Sequence, residues 1–444
     1  MRRQAATPRG LFRRLADLEL SQVSDPRQAK KVVWPLPTVL TALLVSLLTK
    51  ARSLRAVEQR TAQLTPEART DLGIPQRLPD NTCGALLPRL PRAGLGACLR
   101  RLVLQEHQRG NLRPARAAGG TVAIDGKNVG TLHFGDLCRV LGLDAATATA
   151  DQVRPRLSEK FPEAQLCVPT EGEPYALLRV HTVTLTSAPA AVCVYQRAIP
   201  GHTNEVGALP GLLRALHSAY GRTHLFRRVT TDAGNTSLAT AGQTCASGWA
   251  YFAQLKSEHG SLYAEAERVL AGRRRARAVE RYSDAQHGQV VTYSIWQYDL
   301  TDAGWLDWTH ARQLFRVERV VDRPDGSRVS VGNRYYVTSD TADQLGPKHA
   351  LECSREHWRC EEETHWTADV EFQEDRRRLA WSRHPLGLLV VSLLRRIALC
   401  VLAVIRQLSR VSYSEETPSW HQVTEHFLLL LCEPLLETEA FDLV

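Results

Sequence analysis

Ten cysteines are scattered along the 444 residues without a single CxxC pair, and neither a glycine-rich phosphate loop, a GxSxG elbow nor an internal repeat occurs. These absences set aside disulfide scaffolds, P-loop nucleotide binding, α/β-hydrolase chemistry and solenoids. Reduced, mostly buried thiols are the reading for such scatter in a large chain. Uninterrupted membrane spans are missing too. The stretch VVWPLPTVLTALLVSLL (32–48) is broken by Pro35 and Pro37, and PLGLLVVSLLRRIALCVLAVI (385–405) carries Arg395 and Arg396 at its centre, where charge is most costly. No small-residue cleavage site follows the first stretch, so a cytosolic protein without a membrane partner is expected. There is no low-complexity tract either, and 43% hydrophobic with 23% charged residues is the composition of an ordinary folded chain, long enough for two or three compact units.

What charge there is has been segregated. The net charge is +9, but residues 1–118 hold 21 Lys/Arg against 8 Asp/Glu, leaving the remainder slightly acidic. Such segregation suits a segment that binds a polyanion, and suits a solvated basic surface equally.

Hydrophobic periodicity divides the chain. Residues 1–118 read as short helices punctuated by prolines, giving an all-helical basic N-terminal domain. Strands follow at TVAID (121–125), LLRVHTVTLTS (177–187), AAVCVYQRAI (190–199), FRRVTTD (226–232) and WAYFAQLK (249–256), with helices between the later ones. That pattern predicts an antiparallel pair about Pro189, then parallel pairing, in an α/β mixed sheet over 119–287. Residues 130–176 read as a polar insertion with little strand character. Alternation over 288–345, with PDGS as a hairpin turn, predicts a β-rich insertion subdomain. The segment 346–412 returns to helix, with one continuous helix expected over 349–368, and 413–444 forms a helical tail.

Two of these strands end on an acid, Asp125 and Asp232. Taken singly, each acid suits a cap on the following turn or helix. Taken together at the carboxyl ends of neighbouring strands, they suit a divalent cation that relieves their repulsion. In the helix over 349–368, His357, Glu361 and His365 recur at i, i+4 and i+8 on one stripe, which makes Glu361 a candidate third acid. Cys353, His357, Cys360 and His365 imitate a zinc quartet, but structural zinc draws its ligand pairs from two separate segments.

Several blocks carry a resemblance in order along residues 16–408: SDPRQAKKVVWPLPTVLTALL, VAIDGK, TNEV (203–206), TTDAG, QLKSEHGSLYAEA, QHGQV, NRYYVTS and HWRCEEETHWTADVEFQEDRRR. In these the chain resembles the DDE transposases of bacterial insertion sequences, in the ISAs-type group that includes the H-repeat-associated proteins. The resemblance implies a ribonuclease H-like mixed-sheet catalytic core with a β-rich insertion, preceded by an all-helical N-terminal domain. It implies that Asp125, Asp232 and Glu361 are the catalytic acids and ligands of two Mg²⁺ or Mn²⁺ ions that assist phosphoryl transfer at DNA. The partners implied are double-stranded DNA, both element terminal repeats and target, and a second copy of the chain in the DNA complex, in a bacterial cytoplasm at the nucleoid. Lys127 and Lys256 are candidate phosphate contacts, with His357 and His365 lining the site. Arg273, Arg274, Arg275, Arg277 and Arg376 to Arg378 are candidates for sequence-independent affinity. The alternatives are a decayed or co-opted transposase that binds DNA without cutting it, and a metal-dependent nuclease of the same fold.

Overall fold

The computed structural model describes residues 8–114, 119–273, 275–284, 287–300, 306, 308, 310–375, 381–413 and 417–432. Among the described residues, six α-helices precede the first strand: α1 (Pro8–Asp17), α2 (Leu36–Leu48), α3 (Leu54–Ala62), α4 (Pro66–Leu72), α5 (Asp80–Leu86) and α6 (Arg92–Gln108). Proline, serine and threonine set their starts. Pro37 and Pro66 sit in the first turns of α2 and α4, and the Ser53 and Thr65 side chains accept backbone N–H groups at the starts of α3 and α4. Part of the basic charge turns inward here: Arg14 is buried against Glu106, and Arg109 binds Asp17 at 2.8 Å.

The strands form one mixed sheet. Those that matter for the site are β1 (Thr121–His133), β3 (Tyr175–Leu185), β4 (Val192–Ala198), β5 (Arg228–Thr231) and β6 (Ala250–Leu255), ordered β4–β3–β1–β5–β6. β1, β3 and β4 are antiparallel, whereas β1, β5 and β6 are parallel, with α9 (Glu205–Tyr220) between β4 and β5 and α10 (Leu238–Ala246) between β5 and β6. Between β1 and β3 the chain forms α7 (Phe134–Leu141), α8 (Ala150–Lys160) and the short strand β2 (Ala164–Cys167), which pairs with β3. After β6 come α11 (Gly260–Ala271), β7 (Ala278–Asp284), β8 (Gln289–Asp299), β9 (Gln313–Asp322) and β10 (Arg328–Thr338). Strand structure thus begins before the alternating stretch read from residue 288. β10 pairs with β6, so these strands continue the central sheet.

Two local expectations are corrected. β1 does not stop at Asp125; it runs on to His133, paired along its length with β3 and bulged between Asn128 and Gly130. Only its parallel pairing with β5 ends there, at Ile124↔Thr231. The expected continuous helix over 349–368 is instead α12 (Pro347–Glu356), a π turn (Cys360–His365) and α13 (Trp366–Phe372). A π turn bonds residue i to i+5 and holds one residue more than an α turn, so the helix is not regular across this segment.

One apolar core joins the N-terminal helices, Val122 and Ile124 of β1, the inner face of α9 and the long helix α14 (Pro385–Tyr413). By length and hydropathy Pro385–Ser409 would cross a membrane, yet that window is buried within the protein. Arg395 and Arg396 lie at its middle with about 1% or less of their side chains exposed, both facing the buried Glu374. Last among the described helices is α15 (Trp420–Leu431), packed on α14.

Candidate active site

The sheet brings two acids together by register. Ile124 and Thr231 are the last parallel pair, so Asp125 and Asp232 come next on adjacent strands, which lie about 4.8 Å apart. Asp232 is also the turn residue that a cap reading requires: its Oδ1 accepts the Asn235 N–H at 2.9 Å and its Oδ2 the Gly234 N–H at 3.2 Å. The cap of α10 itself is Ser237, whose hydroxyl accepts the Thr240 N–H. Asp125 starts no helix. Its Oδ1 accepts the Gly126 N–H at 2.8 Å, and its Oδ2 stands 3.3 Å from His365 Nδ1.

His357, directly after α12, and Glu361 and His365 of the π turn stand in different surroundings. His365, 8% exposed, reaches Thr182 Oγ1 with Nε2 at 2.7 Å and Asp125 with Nδ1. Burial holds its pKa down, partly offset by the hydrogen bond to Asp125. Neutral His365 therefore donates Nδ1–H to Asp125 and accepts the Thr182 hydroxyl at Nε2. His357, 5% exposed, meets Thr230 Oγ1 with Nδ1 at 2.8 Å, and burial lowers its pKa as well. Burial would raise the Asp125 carboxyl, but the His365 hydrogen bond, the neighbouring histidines and the Gly126 N–H outweigh it and hold it below the usual range. Glu361 is exposed at the rim, whereas the two histidines are buried. Its carboxyl is pushed up by partial burial and by the negative charges of Asp125, Asp232 and Glu362, opposed by Arg334. Glu361 thus feels both aspartates, although no three His, Cys, Asp or Glu side chains among the described residues close on one point to hold a single ion.

The zinc quartet does not assemble. Cys353 lies 3.7 Å from Arg228 Nη1 and burial pushes its thiol up to about 11, while Cys360 is buried in the π turn with its thiol pushed up by burial and the nearby acids.

The expected cationic residues are placed unevenly. Lys127 is not presented outward: its Nζ, on a side chain 8% exposed, binds both Asp369 oxygens at 2.7 and 2.8 Å. Lys256 is exposed where β6 ends, as are Arg273, Arg275 and Arg277, with Arg273 over the Tyr298 ring. Arg274 and Arg376 to Arg378 lie outside the described residues. Beside the π turn a groove of about 680 Å³ runs between α12 and β7–β10, lined in part by Arg319, Arg334, Arg355, Trp358, Arg359 and Glu362.

Glu205 escaped the sequence reading, though TNEV contained it. It opens α9, whose cap is Asn204: the Asn204 Oδ1 accepts the Gly207 N–H at 2.9 Å. The Glu205 carboxylate occupies the space where a side chain on Gly126 would stand, about 2.1 Å from an ideal Cβ there. Burial and then the charge of Asp125 raise its pKa, opposed by a hydrogen bond to the Asn235 side chain. Removing the cap in Asn204→Ala is expected to lower stability by about 1 kcal/mol in denaturant unfolding, through the lost bond to Gly207.

No protein-family model matches the chain, and no curated protein matches it. Among solved structures it is similar to a piggyBac transposase in a synaptic complex with hairpin DNA, at a TM-score of 0.40 and 9% identity, over 96% of this chain and 78% of that one. A likeness at that distance assigns no residue and no activity.

Proposed function

We propose that the chain is a DNA transposase of the DDE kind, cutting element ends and joining them to target DNA at Asp125, Asp232 and Glu361. The observation that carries this reading is that Asp125 and Asp232 come next to one another where the parallel pairing of β1 and β5 ends, with Glu361 reaching their field from the π turn. The strand order β4–β3–β1–β5–β6, three antiparallel strands and then two parallel ones, supports a ribonuclease H-like core.

The donor set fits a hard divalent cation. Burial and the negative charges of Asp125 and Asp232 raise the proton affinity of Glu361 and Glu205, and buried His357 Nε2 and Asn235 Oδ1 have no hydrogen-bond partner among the described residues. Asp125, Asp232 and Glu361 would hold Mg²⁺ or Mn²⁺, two ions in the full site. When bound, such ions acidify an attacking water or 3′-hydroxyl and stabilise the leaving oxygen of an in-line displacement. The protein's own part is to fix the acids beforehand. Gly126 N–H and His365 orient Asp125 and keep it ionised, the turn N–H groups orient Asp232, and Glu361 stays free at the rim to swing inward.

DNA would be held by exposed cations, Lys30, Lys31, Arg52 and Arg55 in the N-terminal segment and Lys256 beside the site, with a second copy bringing the other end. Affinity for duplex DNA is expected to fall steeply between 50 and 200 mM salt, by about one power of salt per phosphate contacted, as filter binding or anisotropy would measure. The deciding assay incubates the protein with DNA carrying the element's terminal repeats and Mg²⁺. Nicking followed by strand joining is expected. Nicking alone would leave a nuclease, and binding alone a DNA-binding protein whose acids do not close.

A further inference from the structure

We propose that Glu205 is a fourth metal-ligating carboxylate of this site, entering from the face of β1 opposite to Asp125; the inference rests on the metal-site reading above. Successive side chains of a strand point to opposite faces. Asp125 therefore faces the π turn, where His365 meets it, and Gly126 faces α9. Because Gly126 has no side chain, the Glu205 carboxylate lies directly against the backbone that carries Asp125, at the level where β5 has ceased to pair. Any β-carbon there would displace it.

Asn235 ties this carboxylate to the other strand. Its backbone N–H binds Asp232 and its side-chain amide binds Glu205, so one residue spaces the two acids. The amide group is oriented by donating to Glu205, which leaves Oδ1 as the free end. That oxygen is a hard ligand on a residue 2% exposed and has no partner among the described residues. On the same face as Gly126 stands His181, its register partner on β3, 1% exposed and also with an unpartnered Nε2. Buried polar atoms without partners cost free energy unless a ligand or water satisfies them. Two of them beside a carboxylate that already feels Asp125 and Asp232 mark a place for a cation. The same contacts give reasons for otherwise unexplained letters of the sequence: glycine after Asp125, asparagine three residues after Asp232, and Asn-Glu at the start of α9.

The test is Mn²⁺ binding, read by electron paramagnetic resonance of free Mn²⁺, for wild type, Glu205→Gln, Gly126→Ala and Asp125→Asn, with melting in chelator as the fold control. Glutamine keeps a partner for Asn235, so a structural role survives in Glu205→Gln whereas the negative charge that strengthens ligation does not. Glu205→Gln and Gly126→Ala are expected to melt no lower than wild type without metal and to bind Mn²⁺ at least about tenfold more weakly. Wild-type affinity in both, with affinity lost in Asp125→Asn, would overturn the role of Glu205 and leave the site standing. Absent binding in wild type, or undiminished binding in Asp125→Asn, would overturn both. Should Glu205→Gln not fold, Gly126→Ala carries the same readout, since there only the carboxylate's end must move.

Discussion

Asp125→Asn is expected to cut and join DNA at least about a thousandfold more slowly than wild type while binding the same DNA and melting at nearly the same temperature. The fold-change exceeds the roughly 10–100-fold typical of losing an outer-shell partner, because Asp125 is proposed as a direct ligand. Asparagine keeps the size of the side chain and an oxygen for the Gly126 N–H. The change therefore removes charge with little change of packing. Asp125 sits in the interior of β1, is ionised below the usual range and carries the hydrogen bond from His365. Glu361→Gln is expected to lose activity comparably, with even less effect on stability, since Glu361 is exposed. Single-turnover cleavage of terminal-repeat DNA in Mg²⁺, beside an anisotropy titration, separates lost chemistry from lost binding.

The largest effect on stability is expected at Glu374. This carboxylate, 1% exposed, binds Arg396 and lies 3.8 Å from Arg395, both buried in the middle of α14. Burial would raise its pKa, but the charges of Arg396, Arg395 and Lys127 dominate and hold it below its ordinary 4.5. Glu374→Leu leaves two guanidiniums buried without their counter-charge and is expected to cost about 3–5 kcal/mol. Replacing all three groups with apolar residues, as in Glu374→Leu with Arg395→Met and Arg396→Leu, is expected to recover most of that loss. The pH dependence has a definite sign. A carboxyl whose folded pKa is depressed contributes its stability in full above the unfolded value and loses it as pH falls through the folded value. The gap between wild type and Glu374→Leu should therefore be constant near neutrality and shrink on acidification below about pH 4.3. Urea unfolding at a series of pH values measures it.

Much of the sheet was legible because apolar runs and turn residues mark strands whatever their partners. TVAID, LLRVHTVTLTS and FRRVTTD announced β1, β3 and β5, and the acids that close TVAID and FRRVTTD drew attention to one end of the sheet. The continuation of β1 was hidden because KNVGTLH breaks the alternation with polar residues and a bulge. Its strand character comes from backbone bonds to β3, a partner more than forty residues away. Likewise, the stripe of His357, Glu361 and His365 depended on an unbroken α-helix, and nothing in REHWRCEEETHW signals the extra residue of a π turn. Lys127 read as a phosphate contact because DGK ends in a cation; its partner Asp369 arrives from α13. Glu205 was out of reach for a different reason. A glutamate in the first turn of a helix suits the helix dipole wherever it occurs, and only the bare backbone at Gly126 gives this one a place at the site. The twin arginines of α14 did stand out in sequence, as two charges within an apolar run, while Glu374 could be found only in three dimensions.

The central claim is that the acids on β1, β5 and the π turn are ligands of a divalent cation. Its most direct measurement is a crystal of the protein soaked in Mn²⁺, with the metal located by anomalous scattering. The account predicts a peak within about 2.6 Å of carboxylate oxygens of Asp125 and Asp232, and Glu361 drawn in from the rim. Saturating Mn²⁺ that leaves no peak between Asp125 and Asp232, or that settles only elsewhere on the molecule, would contradict it.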